Sequence, residues 1–436
     1  MAMNAAVHKR AGFTLVELMI AMIAGAFAVA GVYYLNGVSA RSYAQQMAVS
    51  DAQMSLRSAM EQLRRDVARA GYLAAPSTAL LRTCDGALAG NGATVNTSHQ
   101  FQALAVGTSA LGGSLRYNPD VNGSNGTQVA ALLGGNRVAS DDLTMFGNFA
   151  TPDAYLADSH ASTASVITLQ ADREAFRRSF FTPSANNAPA VSAPAEFENV
   201  FRPGRMLRVE VGGHFFFRQI SARQWVPPGV PTITLATALP TCAENTQWMA
   251  VAPVSRIHYG LESDLTADFS RLRGDASLPG SRRAMLVRRE ETTNSLPPPA
   301  APQIATGGFS GSVIAIPNSA RVVLDYAVEF GISAVRNTNT VVGGRPVWQH
   351  AITPAEMEAL NRSPGDFRSL IVTISSRASE VDPRLGPVGG TRRMPATNIL
   401  GDPLLTFNVI DPNFSALTTL QARVRTMRSE IFLHNL

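Results

Sequence analysis

Hydrophobic residues in this chain follow one pattern at the start and another through the remainder. From Phe13 to Leu35 the sequence runs 23 residues with Glu17 as its only charge. As a helix that stretch is about 35 Å long, enough to cross a hydrocarbon core with some tilt. Lys9 and Arg10 are the only formal side-chain charges in the twelve residues before it. Basic residues beside a span stay on the cytoplasmic side, which sends everything after residue 36 outside the cytoplasm.

The helical pattern continues past the span. Leu56, Met60, Leu63, Val67 and Ala70 recur at alternating steps of four and three, while Arg57, Glu61 and Arg65 occupy another face at i, i+4 spacing. Gly71 suits a left-handed cap, so the spacing predicts a nearly continuous helix over residues 13–70, about 87 Å long. No heptad seam is sustained across Arg41 to Ala52, so the apolar stripe is expected to pack on a globular head rather than in a two-stranded coiled coil.

After Gly71 the period changes to that of strands separated by turn chemistry. Ser140–Phe146, Ser165–Leu169, Met206–Val211 and His214–Ile220 read as strands, the last two joined by a hairpin at Gly212-Gly213. Val251–Leu261, Ala284–Arg288, Val322–Ile332 and Leu370–Ser375 follow, and Thr426–Leu433 places Met427, Ile431 and Leu433 on one parity. Residues 86–135, 186–195 and 296–311 read as loops, rich in Gly and Asn, in Pro and Ala, and in Pro respectively. The fold class is therefore α+β: a long N-terminal helix, its first half a transmembrane span and its second half amphipathic, packed on a β-rich head.

Composition supports this reading. Aromatic residues are 7% of the 436, and 34 Gly with 26 Pro favour short strands and long loops over an α-rich head. Of 37 basic residues only Lys9 is lysine, a bias better explained by genome composition than by phosphate recognition. Acids and arginines interleave beyond the leader, and Glu290-Glu291 follow Arg288-Arg289 at once, so nucleic acid is not an expected partner.

Cys84 and Cys242 both fall in the exported part, where an even count reads as a disulfide. The loop it would close is long enough for about 5 kcal/mol of stabilisation on chain-entropy grounds. His99, His160, His214 and His258 lack ligand spacing, so no metal or other cofactor is expected. The exported part has no lysine for a P-loop, no His-Glu-x-x-His and no Gly-x-Ser-x-Gly; Gly308-Phe309-Ser310-Gly311 lacks the elbow spacing and reads as a turn beside a proline-rich loop. No catalytic residue is assigned, although scattered Asp and His side chains of a membrane-anchored hydrolase or binding protein could converge in space.

An acidic side chain at the fifth position of a span is costly, which points to a partner that needs it there. A cleaved secretory signal ending at Ala28-Val29-Ala30 is the plainer alternative. Against it stand Glu17 inside what would be the hydrophobic region, the abrupt polar-to-apolar junction after Gly12, and the helical pattern beyond the supposed cleavage site.

Gly12-Phe13-Thr14-Leu15-Val16-Glu17-Leu18 resembles the class III signal of type IV pilins and type II secretion pseudopilins. The resemblance implies that a prepilin peptidase cuts between Gly12 and Phe13 and methylates the new amine of Phe13. Residues 1–12 would then be a leader, 13–71 the pilin helix with its span over 13–35, and 72–436 a periplasmic head with insertions over 86–135 and 296–311. Glu17 would pair with the terminal amine of a neighbouring subunit, unlike charges attracting strongly where the dielectric is low.

Leu63-Arg64-Arg65-Asp66 before Ala70-Gly71-Tyr72, then Cys84 and the strand Asp141–Thr144, are similar in order to the large minor pilins of the PilW kind. Val254–Tyr259, Val328-Glu329-Phe330 and Arg368–Arg377 continue that order. The resemblance implies a non-enzymatic subunit of the inner membrane, and later of the pilus, that helps initiate polymerisation in a priming or tip complex. Its partners would be other minor pilins, the major pilin, an assembly platform and a tip adhesin. A minor pseudopilin of a type II secretion system, or a competence-pilus component, are the nearest alternatives.

Overall fold

The computed structural model describes residues 14–73, 103–107, 141–158, 165–182, 191–211, 214–239, 249–263, 284–293, 313–316, 319–342, 345–351, 356, 360, 366–379, 406–410 and 419–433. Gly12, Phe13, Cys84, Cys242 and the whole of 296–311 lie outside them.

The chain divides into two units, residues 1–51 and 52–436. Helix α1 (Leu15–Arg69) supplies the described part of the first and enters the second. Every residue from 14 to 40 is exposed, with Leu18, Ile20, Ile23, Phe27 and Leu35 each more than half accessible. Such a surface is compatible with lipid or other apolar helices around it. By length and composition α1 can cross a membrane.

Within the second unit the character of α1 reverses to one-sided. Leu56, Ala59, Met60, Leu63, Val67 and Ala70 are buried, whereas Arg57, Glu61, Arg64, Arg65 and Arg69 are exposed. The buried stripe packs on Leu104, Val106, Leu143, Met145, Ile257, Tyr259 and Leu286, and each large apolar side chain there contributes about 2 kcal/mol. The helix stops where Gly71 takes a φ of +80°, a conformation glycine adopts without a Cβ penalty.

The strands of the head begin with β1 (Leu104–Gly107), β2 (Asp142–Gly147), β3 (Tyr155–Ala157) and β4 (Val166–Thr168). Helix α2 (Glu174–Phe180), β5 (Phe181–Thr182), β6 (Val191–Ser192) and helix α3 (Pro194–Val200) form the next stretch. Then come β7 (Met206–Val211), β8 (His214–Gln224), β9 (Thr232–Leu235), β10 (Met249–Ser263) and β11 (Ala284–Thr293). The chain continues through β12 (Val313–Ala315), β13 (Arg321–Asp325), β14 (Ala327–Val342) and β15 (Arg345–Ala351). It closes with β16 (Phe367–Arg377), β17 (Thr406–Ile410) and β18 (Thr419–Phe432).

One sheet has the path β1-β2-β10-β7-β8-β9-β4, with β3 and β11 also on β10, and β12 and β13 on β11. A second sheet has the order β15-β14-β16-β18-β17, and β5 pairs β6 separately. These pairs are antiparallel, for instance Ile257 against Met145 and Val372 against Ser429. Strand β10 is the organising element because it changes partners along its length. Met249–Val254 pair with β7, and Ser255–Tyr259 pair with β2. Pro253, which has no N–H for a ladder, sits next to that change.

The odd-numbered residues of β10 serve two cores. Met249 and Val251 join Leu207, Val209, Phe176, Phe180, Phe197, Phe201 and Trp225, while Ile257 and Tyr259 join the core under α1. The aromatic core is dense, with Phe176–Phe180 centroids 4.7 Å apart and Phe176–Trp225 edge-to-face at 5.2 Å. A long helix followed by antiparallel sheets is the α+β architecture that the sequence pattern implies.

Three local expectations are corrected. Within 86–135, residues 104–107 form β1, because Ala103 to Val106 are all buried and pair with β2. Within 186–195, β6 and the start of α3 replace loop, since Phe197, three residues after Pro194, is fully buried and pulls the segment inward. Val322–Ile332 is two strands instead of one. Tyr326 adopts a φ of +51° and gives its N–H to Asp325 Oδ1 at 3.1 Å, turning the chain from one sheet into the other.

Candidate functional site

Glu17 sits at the third position of α1. Its carboxylate Oε2 accepts the Thr14 backbone N–H at 3.0 Å and the Thr14 hydroxyl at 3.0 Å. The Glu17 N–H in turn donates to Thr14 Oγ1 at 3.3 Å. This is a reciprocal capping box: a Thr-x-x-Glu stretch satisfies donors that the first helical turn leaves open. It also gives the carboxylate local partners inside its own chain, and it fixes the start of the helix at Leu15. The sequence signal for Thr14 is its Thr-x-x-Glu spacing to Glu17, which the reading of the motif as a processing signal leaves unused.

The second feature is the attachment of α1 to the head. Asp66 lies on the partly buried flank of the helix, and its Oδ2 accepts both the Tyr259 hydroxyl and Arg288 Nε at 2.6 Å. One oxygen thus ties the helix to β10 and β11. Burial drives the Tyr259 hydroxyl well above its ordinary value of 10.0, and the adjacent Asp66 carboxylate pushes it further. Burial also works against the Arg288 charge, but Asp66 outweighs it and the guanidinium is held more firmly protonated than usual.

The helix end is gripped as well. The Gly71 N–H donates to Phe146 O at 2.9 Å and the Asn148 N–H to Tyr72 O at 2.9 Å. Tyr72 OH reaches Pro152 O at 2.7 Å, and Arg69 Nη1 reaches Phe149 O at 3.2 Å. Gly147 makes this approach possible, because a Cβ there would lie 2.7 Å from Arg69 O and 3.3 Å from Gly71 N.

Farther into the head, charge is held in pairs. Arg205 Nε and Nη2 bind the two oxygens of Glu290 at 2.8 and 2.7 Å, with both side chains largely buried. Burial alone would raise the Glu290 carboxyl, but the hydrogen bonds and charge of Arg205 hold it below its ordinary 4.5. Arg256 lies 3.3 Å from Glu291, and Arg289 binds Glu262. His258 stands 3.7 Å from Asp142 and 3.8 Å from Glu291, its ring flanked by two carboxylates. Among the described residues no group of three His, Cys, Asp or Glu side chains could hold a metal ion.

Of the residues singled out from the sequence, Glu17 is therefore placed in the first turn of α1, while Gly12, Phe13, Cys84 and Cys242 fall outside the described residues. The network around Asp66 has no signature in the local sequence. Asp66 closes the stretch Leu63-Arg64-Arg65-Asp66, and nothing local marks Tyr259 and Arg288 as its partners.

Residues 7–33 match the family model described as the prokaryotic N-terminal methylation motif. The matched segment covers Gly12, Phe13, Thr14 and Glu17, and supports a class III prepilin signal and a chain of the type IV pilin or pseudopilin kind. No curated protein and no solved structure matches the chain.

Proposed function

We propose that this chain is a minor pilin of the PilW kind, a structural subunit that helps initiate and assemble a type IV pilus. The reading is carried by Glu17, a carboxylate in the first turn of an exposed apolar helix, inside a matched methylation motif. Prepilin peptidase cleaves between Gly12 and Phe13 and methylates Phe13. The helix then stores the subunit in the inner membrane with its head in the periplasm. On extraction, lipid contacts are exchanged for helix contacts, and Glu17 exchanges its Thr14 hydrogen bonds for the amine of a neighbouring subunit.

The head joins other minor pilins, the major pilin and a tip adhesin on the assembly platform, and Cys84 and Cys242 form its disulfide. A minor pseudopilin of a type II secretion system would share the leader and helix, but a head running over residues 72–436 is large for that role. The test is intact mass and filament recovery together. The mature chain should begin at N-methyl-Phe13, and Glu17→Ala should leave membrane insertion unchanged while lowering recovery in sheared filaments. Cleavage after Ala30, or undiminished recovery of Glu17→Ala, would overturn the proposal.

A further inference from the structure

The outward face of α1 over residues 57–69 carries Arg57, Arg64, Arg65 and Arg69, all exposed. Glu61 shares this face, but among the described residues none of the four arginines closes to within 4.0 Å of a carboxylate. Arg65 Nε donates to the backbone O of Glu61 at 3.4 Å and Arg69 Nη1 to Phe149 O at 3.2 Å. Arg205, Arg256, Arg288 and Arg289 of the head, by contrast, each stand against Glu or Asp. Asp66, the acid that could balance this stretch from within, is consumed by Tyr259 and Arg288. Glu61 is the only other acid between residues 57 and 69, which leaves three net positive charges on a rigid rod about 18 Å long.

We infer that this face docks an acidic helix of a different subunit, and so selects a heterologous neighbour over a second copy of the chain. The inference rests on the assembly reading above and names the chemistry of the neighbour. A second copy would bring the same arginines to the contact, and like charges brought together repel. Removing Lys9 and Arg10 takes the net charge from +5 to +3, so the copies remain positive overall. A single-stranded nucleic acid would want bases stacked on aromatic rings, and residues 55–70 contain no aromatic side chain.

The experiment places a photo-crosslinking amino acid at Ser58, exposed on this face, in the full chain expressed in its membrane. The expected product is an adduct with another membrane-anchored subunit, through a helical segment of net negative charge. Its yield should fall by about tenfold or more in R64E/R65E, and persist in R64K/R65K, which keeps the charge. Replacing the acid at the crosslinked position of the partner by arginine should restore the yield with R64E/R65E.

An adduct with a second copy, with lipid or with nucleic acid, an unchanged yield in R64E/R65E, or no adduct would each overturn the inference. Processing at Phe13 and Glu17-dependent filament recovery are read on the same cells. If those persist, only the docking surface falls; if they are also lost from the wild-type chain, the assembly reading falls with it.

Discussion

Replacing Asp66 with Ala tests whether one carboxylate holds the helix to the head. In the native chain Asp66 Oδ2 takes hydrogen bonds from the Tyr259 hydroxyl and Arg288 Nε, both at 2.6 Å, and the Arg288 and Asp66 side chains are 12% and 14% exposed. Truncation leaves a buried guanidinium without its counter-charge, a change that costs roughly 3–5 kcal/mol where water is fully excluded. The stranded Tyr259 hydroxyl adds about 1–3 kcal/mol, but the two losses share one oxygen and do not sum. With some water able to reach Arg288, the expected loss is about 3 kcal/mol. Urea unfolding of the full chain in detergent, followed by circular dichroism, should show a lower midpoint with an unchanged slope. A double-mutant cycle with Arg288→Ala should give a coupling of about 1.5 kcal/mol or more, and Asp66→Leu with Arg288→Met should recover most of the loss. A loss under about 1 kcal/mol, or strictly additive single mutants, would refute the argument.

Gly147→Ala should destabilise by about 2 kcal/mol, since its Cβ would meet the backbone O of Arg69 at 2.7 Å and backbone cannot rotate away; thermal unfolding of the purified chain checks it, and a midpoint equal to wild type would contradict the close approach. Glu290 titrates below its ordinary 4.5 in the folded chain, so its pairing with Arg205 stabilises fully above that value and the contribution is lost as pH falls through the folded value. Glu290→Gln should therefore flatten the fall in stability on acidification below about pH 4.5, and coincident pH profiles for variant and wild type would exclude the pair as a source of acid sensitivity. Alkylation of the purified chain without reductant should label neither Cys84 nor Cys242, and labelling of both would remove the proposed disulfide.

The parts of the fold readable from the sequence share a feature: each is encoded by neighbours along the chain. The buried positions Leu56, Met60, Leu63, Val67 and Ala70 follow helical spacing, and Leu207, Val209 and Val211 follow strand spacing, so a face is visible before its partner is known. Gly71 announced the helix end for the same reason, its φ being a local property. Strand ends were less visible. Ala284–Arg288 extends to Thr293 as β11 because Glu290, Glu291 and Thr292 are held by pairing with β10 and β12, which compensates for their polarity.

The sequence by itself determined that this chain has an apolar N-terminal helix with a single acid near its start, a capped junction, and a β-rich remainder. Helical period, hydropathy and capping depend on residues within a few positions of one another. Tertiary structure alone decided that Asp66 meets Tyr259 and Arg288, residues 193 and 222 positions away, and that β10 divides its length between two cores. Such contacts depend on which strands pair and in what register, and that choice is made by the summed burial of the whole head.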